Sequence, residues 1–498
     1  MRTAGRVSDV LANMTTSRLD KMQRAIADFR RELAETKAGD LDCLELERQI
    51  QGLVNGLGRE LMVEVLKRAD EDAPMVSYEG ETWGNRRVTK GTYTTLFGDV
   101  ALDRSTYQKA GGGRVVIPLE KRLGIVEKRY TPRVARILSR AVALMTAEEA
   151  EGMLAEAGVA AVSKSSLHRV PHAIAARYEQ RREQINNELR ESDDVPDAAV
   201  TVQVSMDGVM VPQDGEHAKP RGRKTEAPEA PRHEQRYGAV GGPSPADNDN
   251  AEGRAWHEGC VGTVSFWDAD GEHLRTLYVA RMPESGKGTV ADELEDELRA
   301  ALERRPDLRV CFAADGNPAQ WQRLEGIGVR LSLTMQAMPN WLLDFFHCAT
   351  YLGDAAKAAE PDEAKARVLA ADWCTQMKEL DDGATRVLKA MRYKRDQLPA
   401  GTRRDVIEKS INFIAGQAKH GRLHYAQARR EHRPIGTGVV EAAAKTVVNV
   451  RMKRAGARYS QHGGQTIMTF RAAILSGRFD SLMSTIERSY VQAVPAAA

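Results

Sequence analysis

The spacing of apolar positions changes several times along the chain, and each change predicts a different kind of element. Over residues 17–72, Leu, Met, Ile and Phe recur every three or four positions, which predicts helices that pack on each other or on a second copy of the chain. Over residues 77–123 the period becomes two, and TYTTLFGDVALDRSTY predicts a β-hairpin that turns at Gly98-Asp99. Helical spacing returns over residues 121–177, where a basic stretch opens the segment.

The stretch TAEEAEGMLAEAGVAAVSKSSLHRV has the outline of a helix-turn-helix. One helix is predicted to end near Gly158, and Ser163 is suited to cap a second helix, which we expect Pro171 to break or kink. Two helices joined at a glycine are more often plain packing than DNA reading, but the neighbouring basic residues favour DNA binding. The residues predicted to contact DNA from the second helix are Lys164, Ser165, His168 and Arg169.

The centre of the chain predicts a mixed sheet. TVQVSMDGVMV (residues 201–211) alternates and places Asp207 on a strand, with its carboxylate turned away from the most apolar side. A polar segment over residues 213–253 predicts a flexible loop. Two strands joined at Asp270-Gly271, a helix, and a short apolar run ending at Asp315 follow. This is the order of elements in an RNase H-like fold.

Asp207 and Asp315 each follow or lie within an apolar run and precede a glycine, and Asn317 and Pro318 are suited to start a helix after Asp315, as its cap and first-turn residue. Asp-Gly is among the commonest turn pairs, so either residue alone is more simply interpreted as a turn residue. In open α/β sheets, however, functional groups collect at the ends of strands. Because these two strands would lie side by side, the pair of carboxylates favours metal ligands.

A third carboxylate, Glu441, stands ahead of a run that is wholly basic. A helix beginning near Gly438 would carry two stripes, an apolar one and a polar one that includes Glu441. The apolar stripe is Val440, Ala443, Val447 and Val450, and the polar stripe is Glu441, Lys445, Asn449 and Lys453. On an ordinary surface helix, Glu441 would simply pair with Lys445, worth about 0.3–0.5 kcal/mol. The competing hypothesis makes Glu441 part of a site.

Composition narrows the class of protein. A hydrophobic content of 42% and a charged content of 29% predict a soluble, globular chain, long enough for several domains. The net charge is only +2, so attraction to a polyanion must come from local basic patches. The five cysteines are scattered and never form CxxC, which argues against a disulfide framework and a zinc knuckle and fits a reducing cytoplasm. Neither a signal peptide nor a membrane span is expected.

Several stretches resemble the Kra group of bacterial insertion-sequence transposases, which is similar to the Mutator-like DDE enzymes. They are VSMDGVMVPQ, GTVSFWDADGEHLRTLYVARMPESGKGT, AADGN, DFFHCATYL, RPIGTGVVEAAAKTVVNVRMKRAGARY and GGQTIMTFRAAILSGRFD. The resemblance covers about residues 200–480, and the N-terminal part resembles the group more loosely. KAGGG stands where related proteins often have paired cysteines, so no zinc module is expected.

The resemblance implies an RNase H-like catalytic core with an all-helical insertion and a triad of two Asp and one Glu. Carried over to this chain, the triad is Asp207 in SMDG, Asp315 in ADG and Glu441 in GTGVVEAA. Mutator-like enzymes also have a Cys or Asp followed two residues later by His, which matches Asp344 and His347. We expect His347 near the scissile phosphate, whereas without the resemblance it would be a histidine satisfied by a backbone partner.

Three carboxylates suit phosphodiester transfer, because two Mg²⁺ ions about 3.5–4 Å apart can clamp both the attacking and the leaving oxygen. We expect Asp207 to bridge the two ions, Asp315 and Glu441 each to complete one side, and Mn²⁺ to substitute. Water would first free a 3′-hydroxyl at the element end, and this hydroxyl would then attack target DNA. The basic residues expected to neutralise DNA phosphates are Lys445, Arg451, Lys453, Arg454 and Arg458.

The predicted fold class is α/β: an RNase H-like catalytic core with an all-α insertion, preceded by helical and small β N-terminal DNA-binding modules. The predicted regions are a helical, oligomerising segment (1–76), a β-hairpin module (77–124), a helix-turn-helix-like domain (125–195), the first part of the core (196–352), the helical insertion (353–432), and the Glu441 helix with basic C-terminal helices (433–498).

The predicted function is a DNA transposase that binds double-stranded element ends, cleaves them and joins them to target DNA. We expect a homodimer or higher oligomer, because two ends must be held together, in the bacterial cytoplasm at the nucleoid. The alternative is a catalytically silent, domesticated DNA-binding relative, which has no physical need for three metal-facing carboxylates. A cellular RNase H-like nuclease is a weaker third hypothesis, since it needs neither the helical insertion nor the N-terminal DNA-binding region.

Overall fold

The computed structural model describes residues 16–159, 162–214, 254–284, 287–333, 340–455 and 457–497. The chain divides into two compact units, Met1–Asn186 with Asp480–Ala498, and Asn187–Phe479. The predicted boundary at 195–196 lies within ten residues of the first division, whereas the predicted region 433–498 is split between the units at Phe479. Most of the predicted loop at 213–253 lies outside the described residues.

The first unit combines helices with an antiparallel sheet in the order β1-β2-β3-β4. Its elements are α1 (Thr16–Glu35), α2 (Cys43–Arg68), β1 (Val76–Tyr78), β2 (Glu81–Thr95), β3 (Gly98–Gln108), β4 (Val115–Val116), α3 (Pro118–Arg122), α4 (Pro132–Leu144), α5 (Ala147–Glu156), α6 (Lys164–Gln180), α7 (Arg182–Glu191), where the chain passes into the second unit, and α18 (Phe479–Tyr490). The last helix belongs here because Arg136 on α4 binds Glu487, with a 2.6 Å contact.

The hairpin predicted at Gly98-Asp99 is present, but its turn lies two residues earlier. Thr95 pairs with Gly98, so the loop consists of Leu96 and Phe97. The Thr95 hydroxyl closes the turn, accepting from the Phe97 amide at 3.1 Å and donating to the Gly98 carbonyl at 2.7 Å. A side-chain hydroxyl therefore closes the turn, and Gly98 directly after it has a positive φ of 110°.

The predicted pair of helices is α5 and α6, which pack on each other. The Ser163 side chain caps α6 by accepting from the Ser166 amide at 3.3 Å. The predicted break at Pro171 is wrong, because α6 runs through it to Gln180. A proline inside a helix costs about 3 kcal/mol, but Pro171 is buried between Val170 and Ile174, whose tertiary packing outweighs that cost. Lys164, Ser165, His168 and Arg169 are all exposed.

Replacing Ser163 with alanine should lower the stability of the first unit by about 1 kcal/mol, because the Ser166 amide loses its side-chain acceptor at the start of α6 and keeps only the Ser163 carbonyl, at 2.9 Å. The measurement is urea unfolding of Ser163→Ala, with Ser165→Ala as a matched control on the exposed side of the same turn. Equal loss in the two variants would show that the cap does not stabilise α6.

The second unit contains the larger sheet. Its elements are β5 (Thr201–Asp214), β6 (Arg254–Trp267), β7 (His273–Arg281), α8 (Gly288–Arg304), β8 (Arg309–Ala314), α9 (Pro318–Arg330), β9 (Asn340–Leu343), α10 (Phe345–Ala359), α11 (Glu363–Glu379), α12 (Gly383–Asp396), α13 (Thr402–Lys419), α14 (Tyr425–Arg430), α15 (Gly438–Ala443), a π-helix (Ala444–Asn449), α16 (Val450–Met452) and α17 (Gln461–Leu475).

The strand order in this sheet is β7-β6-β5-β8-β9. β5 pairs antiparallel with β6, and β6 antiparallel with β7. β8 then joins β5 in parallel, and β9 joins β8 in parallel. The carboxyl ends of β5, β8 and β9 therefore point the same way, so that the loops after β8 and β9 emerge at one edge of the sheet.

The two faces of this sheet differ in character. One face buries the apolar side of β5 against α8 and α9, in a core that includes Val204, Met206, Leu294 and Trp321. On the other face, α15 and the π-helix lie against β5, and α17 lies against β7. That second face buries polar side chains, namely Thr201, Gln203, Ser205, Thr263, Ser265 and Thr276.

The predicted all-helical insertion is observed as α10 to α14, but it begins at Phe345 rather than at residue 353. The five helices share a core of their own, which includes Leu352, Trp373, Met391 and Ile411. The earlier start has a local cause, since Asp344 caps α10 directly after β9. Within the described ranges, no helix is long and apolar enough to cross a membrane.

Candidate active site

Asp207 lies near the middle of β5, opposite Val261 of β6. Because side chains alternate along a strand, its carboxylate faces the side covered by α15, opposite to the buried Met206. Burial, followed by the charges on Asp315 and Glu441, raises the pKa of Asp207 to about 6, although the Gly208 amide and Gln320 act against the shift. The three predicted carboxylates are therefore close enough to interact.

Asp315 directly follows β8 and is held in place by its own turn. The parallel register, in which Ser205 faces Ala313, brings Asp315 beside Asp207. Its carboxylate accepts from the Asn317 amide at 2.9 Å, and its carbonyl accepts from Trp321 Nε1 at 2.7 Å. Burial raises the pKa of Asp315, and the Asn317 amide and the charge of His347 oppose that rise.

Asn317 and Pro318 open the helix after this turn, as the sequence predicts. The Asn317 side chain caps α9 by accepting from the Ala319 amide at 2.9 Å, and Pro318 occupies its first turn. Gly316, between the aspartate and the cap, is tightly packed, because a Cβ there would lie 2.3 Å from Phe413 Cε2. The insertion helix that carries Phe413, α13, therefore packs directly against the turn formed by Asp315 and Gly316.

Gln320 joins Asp315 to the backbone next to Asp207 and was not identified from the sequence. With its amide nitrogen turned towards the acceptors, it donates to the Met206 carbonyl at 3.1 Å and to Asp315 Oδ1 at 2.9 Å. A glutamine in the first turn of a helix has no sequence signal that distinguishes it from a surface residue.

Glu441 lies on α15, which begins at Gly438 as predicted. Its side chain is exposed, and its Oε1 accepts from the Thr437 hydroxyl at 3.3 Å. Thr437 itself is buried, and the adjacent Gly436 carbonyl accepts from Gln203 of β5 at 3.0 Å. These contacts attach the start of the Glu441 helix to the strand that carries Asp207.

The apolar stripe predicted on this helix fails at its last position, Val450, whereas Lys453, the last residue of the polar stripe, is exposed as predicted. The chain continues from α15 into the π-helix, whose extra residue per turn changes the direction of every later side chain. Val450, predicted to be apolar and buried, is 59% exposed. Arg451, predicted to bind phosphate, is instead buried, and its guanidinium donates to the Tyr459 hydroxyl at 2.9 Å.

The remaining predicted DNA contacts lie on the outside of this segment. Lys445, Lys453 and Arg454 are exposed, and Arg458 is half-buried. Lys445 lies one turn after Glu441, which places a positive charge next to the carboxylates. These positions suit phosphate contacts, whereas the buried Arg451 holds the chain against Tyr459.

Asp344, predicted among the catalytic residues, is buried and has both oxygens in use. Its Oδ2 accepts from the His347 amide at 2.6 Å, and its Oδ1 accepts from the Thr437 amide at 2.8 Å. It therefore connects α10 to the turn before Glu441. These contacts suit a positioning role, because the side chain is also only 2% exposed.

His347 lies on α10 and interacts electrostatically with Asp315. Its ring packs edge-on against Tyr351 and Phe413, with ring centroids 5.5 and 5.7 Å away. Those two rings stack on each other at 3.8 Å. Its charge lowers the pKa of Asp315, so the imidazole lies near that carboxylate.

A fourth carboxylate, Glu258, is also near and was not predicted. A Cβ on Gly208 would lie 2.0 Å from Glu258 Oε1, and Glu258 forms an ion pair with Lys287. The backbone of Lys287 is left-handed, with φ of 49°. The sequence gave no signal for Glu258. Its position opposite Met210 is set by the pairing register of β5 and β6, and the segment that joins these strands lies outside the described residues.

The carboxylate oxygens of the candidate site suit a hard cation, although they do not form a complete set of ligands around one ion. Among the residues that the structure describes, no group of three or more His, Cys, Asp or Glu is spaced to hold one ion. Mg²⁺ commonly binds through one or two carboxylates together with waters and substrate phosphates. The Asp207 and Asp315 pair, with the raised pKa of Asp207, fits that mode.

Comparisons with known proteins give limited similarity. The sequence model of an uncharacterised protein family (UPF0236) matches residues 36–221. No curated protein matches the chain. Among solved structures, the Drosophila P element transposase strand transfer complex is similar over 72% of this chain and 81% of that chain, with 12% identity and a TM-score of 0.22. A similarity this weak carries no argument about the site.

Proposed function

We propose that the second unit has an RNase H-like catalytic core and that the protein is a DNA transposase of the DDE type. The observation that carries the proposal is that Asp207 and Asp315 lie on or directly after neighbouring strands, while Glu441, on a helix far away in sequence, is close enough for its charge to raise the pKa of Asp207. The strand order, with one antiparallel hairpin followed by two parallel strands, supports the same assignment.

The chemistry assigns each side chain a role. Mg²⁺, bound through these carboxylates, would supply a clamp for the attacking and leaving oxygens of the phosphodiester. Asp207 and Asp315 would provide the paired oxygens, and Gln320 holds the Asp315 carboxylate by a hydrogen bond. Glu441, on α15, would complete the set, with its side chain bound by Thr437. His347, packed against its aromatic neighbours, would contact the scissile phosphate.

DNA would be held by the basic residues after Glu441 and by the exposed turn of α6. Lys445, Lys453 and Arg454 are exposed on the second unit, and we assign them contacts to DNA phosphates rather than to base edges. Their role is to neutralise phosphates, so binding should weaken steeply with salt. Lys164, Ser165, His168 and Arg169 would provide the separate contact expected of a helix-turn-helix.

The test is nicking and strand transfer on DNA that carries the element's own ends, with Mg²⁺ or Mn²⁺. We expect Asp207→Asn, Asp315→Asn and Glu441→Gln each to reduce cleavage by at least about a hundredfold, because each removes charge that faces the reacting phosphate. DNA binding, measured by anisotropy, should be retained. Glu363→Gln, at an exposed site on α11, is the matched control and should cleave normally.

Two results would contradict the proposal. Normal cleavage by Glu441→Gln would show that the third carboxylate is misplaced. Tight binding of cognate ends by the native protein without any cleavage would instead favour the alternative, a DNA-binding relative that keeps the fold and not the chemistry.

A further inference from the structure

Phe346 is a large apolar side chain left in solvent at the edge of the candidate site. It is 69% exposed, whereas its neighbour Phe345 is buried in the core of the helical insertion. It occupies the first turn of α10, between the cap Asp344 and His347. Singly exposed apolar residues are common on protein surfaces, so exposure alone does not make Phe346 functional.

The position of the ring is what sets Phe346 apart. A Cβ added to Gly436 would lie 3.4 Å from its Cδ2 and Cε2 atoms, so the ring rests on the backbone just before Thr437. Phe345 meets it edge-on, with centroids 6.1 Å apart. Phe346 is thus supported on one side and open on the other.

The residues before and after Phe346 in the first turn of α10 both contact parts of the candidate active site. Asp344 joins the α10 turn to Thr437, and Thr437 binds Glu441. His347, the next residue after Phe346, lies near Asp315. A substrate phosphate between the carboxylates would therefore bring the neighbouring nucleotide close to the Phe346 ring.

We propose that Phe346 stacks on a nucleobase displaced from the duplex beside the scissile phosphate. This inference rests on the proposed function, since it needs DNA in the site. A phenyl ring cannot hold a phosphate, but it offers a flat apolar face to any base without reading its sequence. Taking a nucleotide out of the stack costs a few kcal/mol, as in enzymes that do chemistry on a base, and a fixed ring that receives the base lowers that cost.

The test compares Phe346→Ala and Phe346→Trp with the native protein, and uses Tyr393→Ala as the control for an exposed aromatic on α12. With fully paired end DNA, Phe346→Ala should slow cleavage about 5- to 150-fold, which corresponds to about 1–3 kcal/mol for one stacked base. Phe346→Trp and Tyr393→Ala should stay near the native rate. An abasic site at the displaced position should restore Phe346→Ala, because no base then needs a stacking partner.

The second readout does not need cleavage. 2-Aminopurine is placed in turn at each position around the cut, and its fluorescence is followed as protein binds. We expect one position to change with native protein and with Phe346→Trp, and not with Phe346→Ala. Loss of cleavage in Phe346→Ala that no abasic site rescues would overturn the stacking role and leave Phe346 a structural residue.

The two proposals fail in different ways. If native protein binds end DNA without cutting it but the Phe346-dependent fluorescence change is present, the transposase function fails and base stacking stands. If cutting depends on the three carboxylates but no position responds to Phe346, base stacking fails and the transposase function stands.

Discussion

Replacing Asp207 with asparagine should stabilise the metal-free protein by about 3 kcal/mol at pH 8, while it removes cleavage. The physical reason is the raised pKa of Asp207, about 6 against an ordinary value of 3.8, caused by burial and by the charges on Asp315 and Glu441. A shift of one pKa unit corresponds to about 1.4 kcal/mol, so a shift of about two units gives roughly this amount.

The direction with pH follows from proton linkage. The folded protein holds the Asp207 proton more tightly than the unfolded chain, so this contribution to stability is complete below about pH 4 and is lost as the pH rises through about 6. Asp207→Asn has no carboxyl group to deprotonate at this position, so its stability does not fall in this way as the pH rises. Its advantage over the native protein should therefore be small at pH 4 and should grow towards pH 8.

The measurement is thermal or urea unfolding in EDTA at pH 4, 6 and 8, for native protein, Asp207→Asn and the exposed control Asp372→Asn. Added Mg²⁺ should raise the stability of native protein at pH 8 and have less effect on Asp207→Asn, because the cation neutralises the charge repulsion. A native protein as stable as Asp207→Asn at pH 8 would show that burial and the neighbouring carboxylates do not raise the pKa of Asp207.

Replacing Asp344 with alanine should cost about 4 kcal/mol in the second unit and should also displace Glu441. The substitution leaves the amides of His347 and Thr437 buried without an acceptor, and each such donor costs about 1–3 kcal/mol. Asp344→Asn keeps one acceptor oxygen, so about half of the loss is expected. The amide of Thr437 lies just ahead of α15, so freeing it loosens the helix that carries Glu441.

Hydrogen exchange provides the local measurement. The peptide over residues 433–443 should exchange faster in Asp344→Ala, and urea unfolding should report the lost stability. Asp362→Ala is the matched control, because Asp362 caps α11 at an exposed position by accepting from the Lys365 amide at 2.9 Å. Its loss should be about 1 kcal/mol. Equal effects in the two variants would mean that Asp344 is only a helix cap.

Structural features that depend on neighbouring residues were predicted correctly from the sequence. The caps Ser163 and Asn317 act as expected, because a cap depends on residues two or three positions away. The α/β class and the strand carrying Asp207 also follow from periodicity alone. Pro171 shows the limit, since its effect on α6 was decided by the packing of neighbouring residues and not by its own preference.

Other features of the site depend on partners far apart in the chain. Asp344 and Thr437 are 93 positions apart, and Gln320 gains its role only when β5 and β8 lie side by side. A sequence motif suggested that Asp344 takes part in the chemistry, whereas its two hydrogen bonds give it a role in holding the parts together. No periodicity distinguishes these possibilities, because both use the same residue at the same place.

The π-helix of residues 444–449 lets this segment hold about one residue more than an unbroken α-helix over the same distance. Each residue of an α-helix turns the chain by about 100°, and the wider π-turn takes up the extra residue, so Arg451 points where position 450 of an unbroken α-helix would point. Removing a single residue there should restore an ordinary α-helix and leave Arg451 on the buried stripe of Val440, Ala443 and Val447. In this segment a one-residue deletion should therefore keep the structural cation in place, whereas the same deletion in an unbroken helix would rotate it by about 100°.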